Sequence, residues 1–291
     1  MNTLTTRRFL QTGALLVAGL LVGACGRKAD APAEPTPATT AASEPAPAPA
    51  KVYVVGTDAA YAPFESENEK QEIVGFDIDV VRAIAQKAGF EVKFVNTPWE
   101  GIFNTLQQGD RDLLVSAITI TDERKQTMDF SNPYFDAHQL IAVKADSKVT
   151  RFEDLKKLRV GVQTGTTGDE VVAKLQGKNS TNIKRFESTP LALKELETGG
   201  VDAVVADNGV VSNYVANNTT AQFKTVSDQS FQPEQYGIAI KKGNADLLGL
   251  VNKGLADIKA DGTYDQIYAK YFGAAPSAAA AAASAAPAAS K

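Results

Sequence analysis

The chain has 291 residues, enough for one large domain or two smaller ones, and a hydrophobic content of 44% supports a packed core. A net charge of −4 and a pI near 5.3 give no basic surface for nucleic acid, so no nucleic-acid partner is expected. The single cysteine excludes an intramolecular disulfide, and the single histidine, His138, excludes zinc sites built from several imidazoles. We therefore expect neither a metal site nor a cofactor, and we interpret His138 as structural.

Residues 1–25 have the pattern of an export signal. Arg7 and Arg8 precede an apolar run over residues 13–22, which is short for a transmembrane helix of about 20 residues. The run ends in Val-Gly-Ala-Cys, which resembles the lipobox of bacterial lipoproteins and implies a lipid on Cys25 after cleavage. A small buried side chain is the alternative role for Cys25. The stretch TRRFLQ also resembles a twin-arginine signal that is one residue short, so the export route stays open.

Low-complexity segments flank the predicted fold. Residues 26–50 are rich in alanine, proline and glutamate, and residues 274–291 are rich in alanine, proline and serine. Neither has a periodic apolar face, so we predict a disordered linker and a disordered tail.

Strand and helix patterns alternate from residue 52 onward. The continuous apolar run 52–55 predicts a buried strand, and apolar residues at helical spacing over 76–88 predict a helix that ends before Gly89. A strand at 92–95 and a helix at 99–108 follow. This alternation favours a parallel α/β sheet.

A repeated pattern predicts a second lobe. The spacing Leu-x-x-Gly-x-x-Asp occurs at residues 106–112, before a strand predicted at 113–116, and again at 196–202, before a strand predicted at 203–206. Each copy describes a helix that ends at glycine and a buried strand that runs toward polar residues. We therefore predict an α/β protein of two similar lobes with a ligand cleft between them.

Two crossings between the lobes form the predicted hinge. The chain crosses near residues 135–139 and returns through a strand at 236–240, after which helices near 245–260 and 264–272 complete lobe 1. Lobe 1 then comprises residues 51–136 and 237–273, and lobe 2 comprises residues 137–236. Closure of two lobes around a ligand is a common use of such a hinge.

The polar residues at the predicted strand ends form the candidate site, because ligands of such sheets lie beyond the carboxyl ends of the strands. These residues are Asp58, Tyr61, Trp99, Ser116, Ala117, Thr119 and Arg124 from lobe 1, and Gln163, Thr166, Thr167 and Asp207 from lobe 2.

Their chemistry suits an α-amino acid with a long polar side chain. The planar fork of Arg124 matches a carboxylate, and the helix start after residues 163–168 favours an anion. Asp207 suits an ammonium group. The alternatives are a solvated helix charge for Arg124, a plain N-cap for Thr167, and an N-cap of helix 208–217 for Asp207. Tyr61 and Trp99 could be core residues or could clamp the ligand side chain.

Six segments carry a family resemblance that covers residues 52–273. They are GTDAAYAPFE, VGFDIDVVRAIA, SAITITDERKQTMDFSNPYF, VGVQTGTTGDEVV, VDAVVADN and DGTYDQIYAKYFG. Together they closely resemble the polar amino acid-binding proteins of bacterial ABC importers, solute-binding protein family 3. This family includes the lysine/arginine/ornithine-, histidine- and glutamine-binding proteins.

The resemblance implies a type II periplasmic binding protein fold, without enzymatic activity. It implies a monomer that delivers a free L-amino acid to an inner-membrane permease. With the predicted lipid on Cys25, we expect a membrane-anchored protein of the cell envelope that faces the periplasm or the outer face of the membrane. Inner or outer membrane anchoring stays open.

The resemblance also implies roles for the site residues. Arg124 would pair with the ligand carboxylate, assisted by Thr119, Ala117 and Thr167. Asp207, with the backbone around Ser116 or Ala117, would hold the α-ammonium group.

The resemblance further implies that Tyr61 and Trp99 clamp the ligand side chain and that Asp58 recognises the far end of that side chain. Glutamine-binding relatives have a lysine at Gln163 and a histidine at Ala206, so here no cation at these positions repels a basic ligand. We therefore favour arginine, lysine or histidine.

Three alternatives remain open. The ligand could be glutamine or another polar amino acid, or the chain could present its ligand to a chemosensory receptor. It could also be an enzyme of the cyclohexadienyl dehydratase type on the same fold. Such an enzyme needs a carboxyl general acid over the substrate ring, whereas the position of Asp58 suits the head group of a ligand side chain.

Overall fold

The computed structural model describes residues 50–273. The predicted signal segment with Cys25, residues 26–49 of the predicted linker and the predicted tail lie outside the described residues. Among residues 50–273, no helix is both long enough and apolar enough to cross a membrane.

The described residues alternate between strands and helices, as predicted. The strands, in chain order, are β1 (Val52–Thr57), β2 (Ala60–Tyr61), β3 (Glu65–Glu67), β4 (Ile73–Val74), β5 (Glu91–Asn96), β6 (Leu113–Leu114), β7 (Met128–Phe130), β8 (Phe135–Ala137), β9 (Gln139–Lys144), β10 (Val160–Gln163), β11 (Ile183–Phe186), β12 (Ala203–Asp207), β13 (Phe223–Val226), β14 (Glu234–Tyr236) and β15 (Ala239–Lys241). The α-helices are α1 (Phe76–Ala88), α2 (Ile102–Gln108), α3 (Asp122–Thr127), α4 (Thr167–Gln176), α5 (Thr189–Thr198), α6 (Asn208–Asn217), α7 (Ala245–Ala260) and α8 (Thr263–Phe272). Short 3-10 helices lie at Phe152–Lys157 and Thr219–Ala221.

Two five-stranded sheets have the same arrangement of strand directions. The first has the order β5-β1-β6-β15-β7, and the second has the order β11-β10-β12-β9-β13. In each, three neighbouring strands are parallel, and the fourth is antiparallel to both of its neighbours. The parallel strands are joined by crossover helices, whereas β15 and β9 enter their sheets directly from the hinge. The sheets are therefore mixed rather than purely parallel, and each forms the centre of one lobe.

A separate two-stranded ladder links the lobes. β8 pairs antiparallel with β14, with Phe135 opposite Tyr236. The predicted single return strand at 236–240 is in fact two strands, because residues 237 and 238 separate β14 from β15. A Cβ on Gly237 would lie 2.8 Å from the Ile120 side chain, so a larger residue there would displace that side chain.

The core of the first lobe is rich in aromatic rings near the hinge. Phe64 lies 5.0 Å from Phe135 and 5.3 Å from Tyr236 between ring centroids, both in edge-to-face geometry. All three side chains are buried. Such pairs add about 0.5–1.5 kcal/mol each beyond burial. The hinge strands are thus tied to the core of the first lobe.

The first residues of two helices determine where two of the site residues lie. α2 begins at Ile102 rather than at the predicted position 99, because Gly101 has φ 88° and ends the preceding turn. Trp99 therefore lies in a turn beside the cleft rather than in a helix. α6 has the predicted bounds, and Asp207 immediately precedes it.

Candidate functional site

All eleven predicted site residues line one cavity between the lobes. The cavity is partly open to solvent, and the space between its walls, open solvent included, is about 320 Å³. Its lining residues are Asp58, Tyr61, Trp99, Ser116, Ala117, Thr119, Arg124, Gln163, Thr166, Thr167 and Asp207.

The Arg124 side chain turns inward from the short helix α3. Its Nη1 donates to the Thr119 carbonyl at 2.9 Å, and its Nη2 reaches the Gly165 carbonyl of the other lobe at 3.4 Å. The guanidinium lies 5.4 Å from the Trp99 ring centroid and 5.2 Å from that of Phe103. Burial lowers its pKa from the ordinary value, but a guanidinium keeps its proton. Arg124 is thus a fixed positive charge at the cavity and not a solvated surface charge.

The start of α4 lines the same cavity, and the Thr167 amide there donates to no group of the described residues. β10 ends at Gln163, and the N-cap of α4 is Thr166, whose hydroxyl accepts the Asp169 N–H at 3.2 Å. The alternative of Thr167 as N-cap is therefore wrong, and Thr167 is the first helical residue. The amide of a first helical residue has no intrahelical partner, so it is available to an anion.

Asp207 occupies the N-cap position of α6 but makes no capping bond with its side chain. Its Oδ2 accepts from the hydroxyls of Tyr61 at 3.0 Å and Tyr236 at 2.6 Å, and its Oδ1 accepts from Gln139 Nε2 at 2.6 Å. Burial, with a smaller contribution from the charge of Glu234, raises the Asp207 pKa to about 6, although these hydrogen bonds oppose the rise. At neutral pH the cavity therefore contains a buried carboxylate that forms no salt bridge with any of the described residues.

Asp58 lies in the loop after β1 and contacts the opposite lobe. Its Oδ2 accepts from Gln163 Nε2 at 3.3 Å, and Gln163 Oε1 accepts in turn from the Thr189 hydroxyl at 3.1 Å. The Asp58 N–H donates to Ser116 Oγ at 3.0 Å. Burial raises the Asp58 pKa, and the bond from Gln163 opposes this.

A buried carboxyl pair holds the strand end at Ser116 and Ala117. Glu65 Oε1 accepts from Ser116 Oγ at 2.8 Å, and Asp77 Oδ2 accepts from the Ala117 N–H at 2.8 Å and from the Tyr134 hydroxyl at 2.7 Å. Both carboxyl groups are fully buried. Burial raises the pKa of Asp77 to about 6, and burial together with the charge of Asp77 raises the pKa of Glu65 well above its ordinary value. Ala117 has φ 45°, a left-handed conformation that these bonds stabilise.

Sequence reasoning missed several residues that support the site. Five residues that contact site residues lie at positions where the pattern of hydrophobic residues gives no indication of a functional role. They are Phe103, Gln139, Tyr236, Glu65 and Asp77. Glu65 and Asp77 do lie in two of the segments that carry the family resemblance, GTDAAYAPFE and VGFDID. Those segments are the sequence feature that could have identified these two residues.

Comparison with known proteins agrees with the geometry. A probable histidine-binding protein of Neisseria gonorrhoeae is 46% identical over 232 residues, covering 79% of this chain and 87% of the relative. The structure of the arginine-, lysine-, histidine-binding protein ArtJ from Geobacillus stearothermophilus superposes with a TM-score of 0.75 at 45% identity, covering 78% of this chain and 97% of that one.

A third relative is an ancestral amino acid-binding protein described as a precursor of cyclohexadienyl dehydratase. Its structure has a TM-score of 0.69 and 40% identity, covering 76% of this chain and 95% of that one. The two-lobed fold and the family resemblance predicted from the sequence are thus confirmed. The family model of the bacterial extracellular solute-binding proteins, family 3, matches residues 53–274, and this chain belongs to that family.

Proposed function

We propose that this protein is the extracytoplasmic substrate-binding component of an ABC-type amino acid importer and that its ligand is a basic L-amino acid. Support for the ligand class comes from relatives described as histidine-binding and as arginine-, lysine-, histidine-binding proteins.

The observation that carries the ligand class is the balance of charges around the cavity. Its lining has two carboxyl groups, Asp58 and Asp207, and one cation, Arg124. A zwitterion pairs with Arg124 and Asp207 and leaves Asp58 without a counter-charge. A cationic ligand side chain supplies the counter-charge of Asp58. A neutral ligand side chain leaves the half-buried Asp58 carboxylate unpaired, and an acidic ligand side chain is repelled by it.

The proposed pose assigns each ligand group to residues of this chain. The α-carboxylate binds the Arg124 guanidinium and the Thr167 amide, and the α-ammonium group binds Asp207. The aliphatic part of the side chain lies between Tyr61 and Trp99, and its head group binds Asp58.

Ligand binding in this pose favours the closed form. Arg124 and Asp58 belong to the first lobe, and Thr167 and Asp207 belong to the second. A ligand that contacts both sets binds the closed form better than the open one, so it shifts the population toward closure. The closed form is the one that we propose docks on the membrane permease.

We further propose that the protein is a monomer, is held to the membrane through a lipid on Cys25, and catalyses no reaction. A dehydratase requires a carboxyl general acid over a substrate ring, whereas Asp58 is hydrogen-bonded to Gln163 at one wall of the cavity. Incubation with prephenate or arogenate checks this, and turnover would contradict it.

A thermal-shift screen with the twenty common amino acids tests the ligand class. A ligand present at 100 times its Kd stabilises the folded state by about 2.7 kcal/mol through mass action. We expect the largest shift from arginine, lysine or histidine. A larger shift with glutamine would contradict the basic ligand, and no shift with any amino acid would contradict the importer function.

A further inference from the structure

The carboxylate of Glu234, on the hinge strand β14, accepts hydrogen bonds from both lobes. Its Oε2 accepts from the Thr119 hydroxyl at 2.7 Å and from the Thr167 hydroxyl at 2.8 Å. Its Oε1 accepts from Gln139 Nε2 at 2.9 Å. Thr119 follows β6 in the first lobe, Thr167 begins α4 in the second, and Gln139 begins β9 beside the hinge. One carboxylate thus joins three separate parts of the molecule.

These bonds determine which donors remain for a ligand. A hydroxyl carries a single proton, so the Thr119 and Thr167 hydroxyls cannot donate to Glu234 and to a ligand carboxylate at once. The groups of this region that stay available to that carboxylate are the Arg124 guanidinium and the backbone amides of Thr119 and Thr167, which donate to no other group in the described chain. The Thr119 and Thr167 hydroxyls therefore donate to Glu234 rather than to the ligand.

The same network reaches the site of the ligand ammonium group. The side-chain amide of Gln139 has two N–H groups, and its two shortest bonds go to Asp207 at 2.6 Å and to Glu234 at 2.9 Å. Gln139 therefore connects the carboxylate that binds the ligand ammonium group to the carboxylate that joins the lobes.

A negative charge beside a subsite for a carboxylate weakens the attraction of Arg124 for the ligand. Glu234 is one of the carboxylates whose charge acts on Arg124. A purely electrostatic role at this position would therefore oppose binding. A role in holding the two lobes in their closed arrangement explains the three converging donors.

We propose that Glu234 is a positioning residue that couples ligand binding to lobe closure by fastening Thr119 of the first lobe and Thr167 of the second to the hinge strand. This inference rests on the proposed amino acid site. Because the link through Oε2 forms only when the lobes are together, its loss increases the dissociation rate and leaves the association rate nearly unchanged.

The test is a double-mutant cycle on ligand binding. Glu234→Ala, Thr167→Val and Thr119→Val are each measured by calorimetry and stopped-flow dissociation, with the best ligand of the wild type. We expect each single variant to weaken binding about tenfold, mainly through faster dissociation. In the Glu234→Ala background, Thr119→Val should add less than about twofold, because its hydroxyl has already lost its acceptor, whereas the Thr167 hydroxyl still accepts from Gln139 Nε2 at 3.2 Å.

A second comparison does not depend on removing Glu234. The link through Oε2 requires both hydroxyls, so the double variant Thr119→Val/Thr167→Val should bind about as weakly as either single variant. Hydroxyls that contact the ligand directly would instead weaken binding multiplicatively, and this result would overturn the inference. Gln232→Ala is the matched control, since Gln232 is exposed and its amide contacts only Ser230 in the described chain.

Small-angle scattering separates closure from simple stabilisation. With saturating ligand, the wild type should become more compact than the unliganded protein, and Glu234→Ala should compact less. Wild-type affinity in Glu234→Ala would overturn this inference alone. Absence of binding by the wild type would contradict the proposed function as well.

Discussion

Replacing Arg124 by alanine removes the one cation that lines the described cavity. The guanidinium has five N–H donors, of which one makes a 2.9 Å bond to the Thr119 carbonyl and one a long 3.4 Å contact to Gly165. The remaining donors are available to the ligand carboxylate. In the variant, that carboxylate would be enclosed by the lobes without a cation.

The size of the effect follows from this enclosure. Truncating one partner of a buried, hydrogen-bonded charge pair costs about 2–5 kcal/mol, much of it the penalty of the charge left unpaired. This corresponds to a Kd raised about 30- to 5,000-fold. The unliganded protein should lose little stability, because α3 has no buried residue and the contacts to Trp99 and Phe103 are worth about 0.5–1 kcal/mol each.

Isothermal titration calorimetry measures this effect, with thermal unfolding of the unliganded variant as a check on folding. Lys125→Ala is the matched control: it removes a positive charge from the same helix, but its side chain is exposed and, among residues 50–273, pairs only with Asp122 at 3.5 Å. We expect the control to bind as the wild type does. An Arg124→Ala variant that folds and binds within threefold of the wild type would refute the assignment of the carboxylate subsite.

Three further predictions follow from the buried carboxyl groups and from the signal segment. Because the pKa of Asp207 in the unliganded protein is about 6 and the ligand ammonium group requires its charged form, affinity should fall as the pH falls below 6. Asp207→Asn should bind weakly and show a smaller pH dependence in calorimetry, the remainder arising from Asp58, whose pKa burial also raises. The pKa values of Asp207, Glu65 and Asp77 are raised, so the folded state binds protons more tightly than the unfolded state. Their contribution to the unfolding free energy of the unliganded protein should therefore be full below the unfolded pKa of about 4 and be lost as the pH rises through about 6; chemical denaturation checks this, and Asp77→Asn should reduce the slope. Cys25→Ser in the full chain should move the protein from the membrane fraction to the soluble fraction, and an unchanged membrane fraction would contradict the lipid anchor.

The parts of the fold that local chemistry determines could be predicted from the sequence. α6 and α7 have the predicted bounds, and Gly89 adopts the left-handed conformation at the end of α1 that its position indicated. The repeated spacing before β6 and β12 predicted two lobes of similar construction, and both sheets have that construction. These features depend on residues that are near one another in the chain.

The features that could not be predicted depend on contacts between distant segments. β15 is antiparallel because it comes from the hinge, and residues 236–240 by themselves carry no sign of this or of the break between β14 and β15. Glu234 and Gln139 are 95 residues apart, and their contact exists only because two hinge crossings lie side by side. The pairing of Glu65 with Asp77 likewise requires the tertiary structure, since each carboxyl group alone would be read as an exposed charge.

The most direct test of a basic amino acid ligand is a calorimetric titration of the wild type at pH 7.5 with L-arginine, L-lysine and L-histidine, with their D-enantiomers, L-glutamine and L-glutamate as comparisons. We expect saturable one-to-one binding of at least one basic L-amino acid, with L-glutamine and the D-enantiomers weaker by at least about tenfold and L-glutamate silent. Tighter binding of L-glutamine or L-glutamate than of every basic amino acid would contradict the charge balance assigned to Asp58, Asp207 and Arg124.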